Sequence, residues 1–284
     1  MWTARSKWSS TATACCDMER FYFWVTFVLF AVLGLMIGSF LNVVVYRLPR
    51  GMNLAKPASH CTSCGHKLAW YDNIPVFSYL FLRGKCRYCG AAVSPRYILV
   101  ETANCALWCA AALVFYPRGV AYTASCALAL SVLLSAACCD GENMFIPDSL
   151  QVALALCALA ALFADPVTDW RDKLIGAAVS GGFFLFFYLI SFPMFGREGL
   201  GFGDVKLMAG AGLLLGWKNS FVAIGFGVLC ALVAIGAKKF VFRRACSLYD
   251  GAEEFAFAPY LVAGVAFALF AGDAVLNLYL SLFL

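Results

Sequence analysis

Charge is what this sequence has least of: 13% of its 284 residues are Asp, Glu, Lys or Arg against 63% hydrophobic, and the mean hydropathy is +0.83. No soluble domain needs so apolar a chain, and the long uncharged runs identify a multi-span helical membrane protein instead. Histidine is almost missing, with two in the whole chain, which leaves little room for histidine-based catalysis or a His-rich metal site. The formal net charge of +5 does not argue for nucleic acid as a partner, because the basic residues lie mostly in loops beside apolar runs, where they act as a topology signal. Internal repeats and low-complexity segments are lacking too.

Residues 1–20 read as a polar N-terminal tail. Met18 stands immediately before the first apolar run, so translation is expected to begin there, with 1–17 a misassigned start. The run at 21–46 is too long for a signal-peptide core and no small-residue cleavage site follows it, which makes it a retained span. Arg47, Pro49 and Arg50 stop it. A sizeable polar segment, 47–96, comes next, followed by the remaining chain, 97–284, with apolar runs at 97–116, 120–139, 150–164, 174–195, 205–217, 221–236 and 257–284. The expected fold is therefore an all-α polytopic membrane protein of about eight transmembrane helices with a small four-cysteine loop domain. The run at 205–217 is glycine-rich and falls below the roughly 20 residues of a full crossing, so it is tilted, kinked or shielded inside the bundle.

With 47–96 in the cytoplasm, the inside segments hold 14 of the 21 Lys and Arg, counting Arg197, Lys206, Lys238, Lys239, Arg243 and Arg244. The positive-inside rule then sets the N-terminus outside and places two acidic turns, around Asp140 and Asp204, on the cytoplasmic side.

The polar segment carries Cys61-Thr-Ser-Cys64 and Cys86-Arg-Tyr-Cys89, each pair followed by a glycine. Two such knuckles bring four thiolates to tetrahedral reach, which predicts a zinc ribbon of structural role, since four protein ligands leave no open position. Two disulfides and an iron site share the spacing; a cytoplasmic location removes the disulfides and leaves iron open. Seven further cysteines, Cys105, Cys109, Cys126, Cys138, Cys139, Cys157 and Cys230, lie in apolar runs and serve as small hydrophobes, while Cys15, Cys16 and Cys246 have no assignment.

Ionisable groups at membrane depth are costly and mark function. Asp204 lies in Gly201-Phe-Gly-Asp-Val-Lys206, between two apolar runs, and Asp140 closes another. Two carboxylates brought together in a partly desolvated place share a proton and activate a water, which is the chemistry of an aspartyl protease. The helix ends favour a proton on Asp140, at a C-terminus, and charge on Asp204, at an N-terminus with Lys206 close by. The bland alternatives are a solvated loop position for Asp140 and a helix cap paired with Lys206 for Asp204. Asp148, after Pro147, is placed to cap the next helix. Glu101, five residues after Arg96, is expected either to pair with a cation or to lie near the active site. Gly201 and Gly203 leave room for close backbone approach.

These residues together resemble the prepilin peptidase family, the type IV leader peptidases. The resemblance rests on Gly38-Ser-Phe-Leu-Asn-Val-Val, the paired Cys-x-x-Cys knuckles, Trp70-Tyr-Asp-Asn-Ile-Pro75, Arg83-Gly-Lys-Cys86, Pro95-Arg-Tyr-Ile-Leu-Val-Glu101, Asp140 through Pro147-Asp148, and Gly201-Phe-Gly-Asp-Val-Lys206, and it runs over about residues 25–265. It implies Asp140 and Asp204 as the catalytic pair of a membrane endopeptidase. Gly201, Gly203, Lys206, Asp148 and Glu101 stand around that pair in support. The implied substrates are type IV prepilins and type II secretion pseudopilins, whose apolar N-terminal helix stays in the bacterial inner membrane among its lipid while the basic leader is cut at the cytoplasmic face. It further implies N-methylation of the new N-terminus from S-adenosylmethionine, tied to the ribbon region and to Gly84. Departures are Cys138-Cys139 ahead of the first aspartate, the missing histidine after it, and Phe257-Ala-Pro-Tyr-Leu261 near the last span. The competing readings are a proton-coupled transporter, since paired membrane aspartates also relay protons, and a scaffold whose metal loop docks a cytoplasmic partner.

Overall fold

The computed structural model describes residues 3–195, 200–242 and 256–283, with side chains placed for 17–191, 200–237 and 256–282. Arg197, Arg243, Arg244 and Cys246 lie outside the described residues, as do the side chains of Cys15, Cys16, Lys238 and Lys239.

A long apolar run in lipid must satisfy its backbone within itself, so every long element here is an α-helix. In chain order these are α1 (Thr3–Arg47), α2 (Phe77–Phe81), α3 (Arg96–Phe115), α4 (Val120–Asn143), α5 (Asp148–Ala164), α6 (Trp170–Phe195), α7 (Phe202–Leu215), α8 (Trp217–Phe242) and α9 (Ala258–Phe283). Six of them, α1, α3, α4, α6, α8 and α9, are long and apolar enough to cross a membrane. The expected eight are reached only by adding α5, with 17 residues, and α7, with 14, both short of a full crossing. The first helix also takes in residues 3–20, which the sequence suggested as a separate tail.

The glycine-rich run proves to be the shielded case. Helix α7 packs against α5, α6, α8 and α9 and buries Leu207, Met208, Ala211 and Leu214. Its approach to α6 is close because both faces lack side chains: a Cβ on Gly176 would stand 2.5 Å from the Gly212 carbonyl oxygen. The Ser180 hydroxyl then reaches the Met208 carbonyl at 2.8 Å, a hydrogen bond between helices that larger residues would prevent. Outward faces carry apolar side chains such as Phe186 and Leu232, 59% and 61% exposed, as lipid contact requires.

A buried polar chain ties α1, α3 and α4 together. The Asn104 side-chain amide donates to the Gly34 carbonyl at 2.7 Å, the Ser131 hydroxyl donates to Asn104 Oδ1 at 2.7 Å, and the Trp108 indole N–H donates to Ser131 at 2.8 Å. At the other end of α4 from Asp140, a fully buried ion pair joins Lys173 of α6 to Asp165, just past α5, at 2.8 Å. That pair lies beside Arg118 and the Tyr122 ring.

Candidate functional site

Helix α4 runs apolar to Cys139 and then through Asp140 to Asn143, where Met144 in a left-handed conformation turns the chain and returns its N–H to the Asp140 carbonyl at 2.9 Å. Asp140 thus occupies a last turn, and the tight linker 144–147 leads straight to α5. Asp204 occupies the first turn of α7. Both are buried, 9% and 7% exposed, and they lie close enough that the charge of Asp140 acts directly on Asp204. Among the described residues no Lys, Arg or His forms an ion pair with either. The two carboxylates are thus sequence-distant, buried and without a cation partner among the described residues.

A third helix end completes the site. The Ala258 N–H, at the start of α9, donates to Asp140 Oδ2 at 3.0 Å. This donor was not found from the sequence; Pro259, which fits the first turn of a helix, was the available sign. An N–H donor favours a charged carboxylate, and Asp204 has no donor among the described residues. The expectation of a proton on Asp140 rested on helix ends alone; the Ala258 donor is a separate influence that acts the other way.

Lys206 does not touch Asp204. Its ammonium pairs with Asp148 at 2.7 Å, joining the first turns of α5 and α7 on an exposed face. Asp148 stands in the first turn of α5, with Pro147 as the N-cap residue. Gly201 is the N-cap of α7 and lies beside Asp204, and Gly203 faces Ile146 and Gln151, so both glycines make room at the linker and not by unusual dihedral angles.

Glu101 forms no ion pair among the described residues. Arg96, its nearest candidate partner in sequence, instead bonds Glu142 at 2.8 Å, and Glu101 Oε2 accepts the Val76 N–H at 2.7 Å, fastening the polar loop to α3.

The cysteine loop is a pair of matching knuckles. In each, a glycine at φ 71° (Gly65, Gly90) returns its N–H to the first cysteine's carbonyl at 2.9 Å. The isolated bridges His60–Lys67 and Lys85–Ala92 close them. The sulfurs of Cys61, Cys64, Cys86 and Cys89 all lie within 4.8 Å of one another, with Cys61 and Cys89 at 3.9 Å. A tetrahedral zinc with bonds of about 2.3 Å sets sulfurs roughly 3.8 Å apart, so the donor set fits. All described cysteines are free. Amide N–H groups of Cys64 and Ser63 hold the Cys61 thiol down to about 6. Beside the knuckles, between the loop and α1 and α3, lies a cavity of about 490 Å3 whose wall includes Asn42, Tyr79, Gly84 and Glu101.

Comparison with known proteins agrees with this division. A family model described as the bacterial peptidase A24 N-terminal domain matches residues 32–115, and one described as the type IV leader peptidase family matches 127–236. A protein of Burkholderia pseudomallei (strain 1026b) named prepilin leader peptidase/N-methyltransferase is 38% identical over 268 residues, covering 85% of this chain and 84% of its own. Proteins of the same name from Aeromonas hydrophila (33% identical, 92% of this chain and 96% of its own) and Myxococcus xanthus (41%, 69% and 58%) are also similar. No solved structure matches.

Proposed function

The chain belongs to the type IV leader peptidase family, and on that premise we propose that it is a membrane aspartyl endopeptidase that removes the basic leader of type IV prepilins or type II secretion pseudopilins and N-methylates the new N-terminus. The observation that carries the peptidase half is the buried pair of Asp140 and Asp204, drawn from α4 and α7 to one end of the bundle with no cation in attendance.

Asp140, charged and fixed by the Ala258 N–H, takes a proton from a water as it attacks the scissile carbonyl. Asp204, holding the shared proton, gives it to the carbonyl oxygen. The proton that Asp140 took from the water then passes to the leaving amine as the C–N bond breaks, and the gem-diol returns its proton to Asp204. No acyl-enzyme forms. The positive N-terminal ends of α7 and α9 both face the reacting region and favour the negative charge that develops there. The Lys206–Asp148 pair supports by locking α5 to α7, which keeps the linker 144–147 against Gly203.

The substrate's apolar helix remains in the bacterial inner membrane and presents its junction at the cytoplasmic face, where basic-residue counting also puts the cysteine loop, with the N-terminus outside. Zinc held by Cys61, Cys64, Cys86 and Cys89 stiffens that loop. S-adenosylmethionine supplies an electrophilic methyl group when bound. The transporter reading has no supporting geometry, since Glu101 sits at the cysteine loop and not midway along a path.

Detergent-solubilised protein incubated with a prepilin should produce a leader-sized mass loss, followed by a methyl-sized gain when the methyl donor is added. An intact prepilin after prolonged incubation would overturn the peptidase reading.

A further inference from the structure

We infer that α2 is a membrane-surface helix, with the face formed by Phe77, Leu80 and Phe81 buried in the hydrocarbon edge of the leaflet on the cysteine-loop side. The segment 47–96 is then not wholly in water, because one turn of it dips into lipid. This placement does not depend on which reaction the chain performs.

The sequence supplies the apolar face. Residues 73–82 carry no charge and lie between Asp72 and Arg83, inside an otherwise polar segment. Phe77, Leu80 and Phe81 are spaced i, i+3 and i+4, which puts them on one face of a helix. That face is bare within the protein: the three side chains are 66%, 61% and 83% exposed. Ser78 and Tyr79, on the other side, line the cavity between the loop and helices α1 and α3. A cluster of large apolar side chains left uncovered marks a surface that meets a partner.

Glu101 sets the depth of that face. Its Oε2 accepts the Val76 N–H at 2.7 Å, immediately ahead of α2. Glu101 lies five residues past Arg96, the start of a helix long and apolar enough to cross a membrane. At 1.5 Å per residue the bond holds the start of α2 about 7.5 Å inside the end of that span. Interfacial helices bury their apolar face about 5–10 Å into the boundary between headgroups and acyl chains, the same depth. The tether is firm, since Val76 takes a φ of 64°, which a β-branched residue adopts only when its surroundings hold it.

The flanks match a membrane surface. Trp70, exposed ahead of the uncharged run, is a residue that favours the headgroup level, and Arg83 and Lys85, exposed after it, suit anionic headgroups. Leu99 of α3, at nearly the level of Glu101, is 64% exposed, so lipid already reaches this depth on the neighbouring helix. A protein partner would cover the same three side chains, but lipid is the partner that the depth itself supplies.

Photocrosslinking of the full chain in vesicles of phosphatidylethanolamine and phosphatidylglycerol tests this. p-Benzoylphenylalanine replaces Phe81, Leu99 or Tyr88, one at a time, and adducts are read by mass spectrometry. Leu99 is the lipid-facing reference, and Tyr88, on the second knuckle, is the reference in water. Phe81 should give acyl-chain adducts within about threefold of the Leu99 yield and at least roughly tenfold above the Tyr88 yield. A Phe81 yield at the Tyr88 level, or a crosslink from that position to a second copy of the chain, overturns the inference. The unmodified chain gives an independent reading. A lipid carrying a diazirine in its acyl chain should label the peptide 73–82 and leave 84–94 clear, whereas an unlabelled 73–82 overturns the placement.

Discussion

The Ala258 amide and the Asp140 carboxylate meet at 3.0 Å across 118 positions of sequence. That one bond makes the two aspartates unequal, because Asp204 has no matching donor among the described residues. Inequality is what a pair needs if one member is to start as base and the other as acid.

Replacing either aspartate by asparagine should lower leader cleavage by at least about 100-fold, the scale of general acid–base help. Membrane insertion should be unchanged. The measurement is the mass of a prepilin substrate with time, and retained cleavage by Asp204→Asn would sink the dyad.

Ala258→Pro removes the donor at a position where helices accept proline. A hydrogen bond to a charged group is worth about 1.5–3 kcal/mol, so cleavage should slow roughly 10- to 100-fold with unfolding temperature kept. Full activity in this variant would show that the Ala258 bond does not tune Asp140.

Lys173 and Asp165 make the opposite kind of pair, buried and at the far end of α4 from Asp140. Lys173→Met should destabilise by about 3 kcal/mol, because it leaves the buried Asp165 carboxylate with only the more distant Arg118, at 4.0 Å. Adding Asp165→Leu should recover most of that loss, and unfolding of the three proteins in parallel reads the coupling.

Metal analysis of the purified chain should give one zinc per molecule. Cys86→Ser, which removes the most buried of the four ligands, should lose the ion and open 47–96 to trypsin while the helices stay protected. A variant that keeps its metal would show that the knuckles do not hold it together.

How much of this was legible depended on distance along the chain. Apolar runs, the two Cys-x-x-Cys pairs and the lone carboxylates within hydrophobic sequence are local patterns, and each led to the right element. Partner choice is tertiary and could not be read from spacing: Lys206 pairs with Asp148, which spacing did not suggest, and Arg96 pairs with Glu142 instead of the cation-pairing option left open for Glu101. The Ala258 donor to Asp140, 118 residues away, was likewise outside what helix ends alone could tell. The Asn104–Ser131–Trp108 chain and the Lys173–Asp165 pair passed unnoticed, since single polar residues in apolar runs carry no sign of what they will face.

Helix α7 ends at Leu215, one glycine separates it from α8, and its walls are other helices. Asp204, itself buried, is therefore positioned by the neighbouring helices and not by the bilayer's thickness. Lipids with longer or shorter tails tilt the outer helices but leave this half-height post where it stands, so the chemistry should run at one rate in membranes that differ by several carbons per chain.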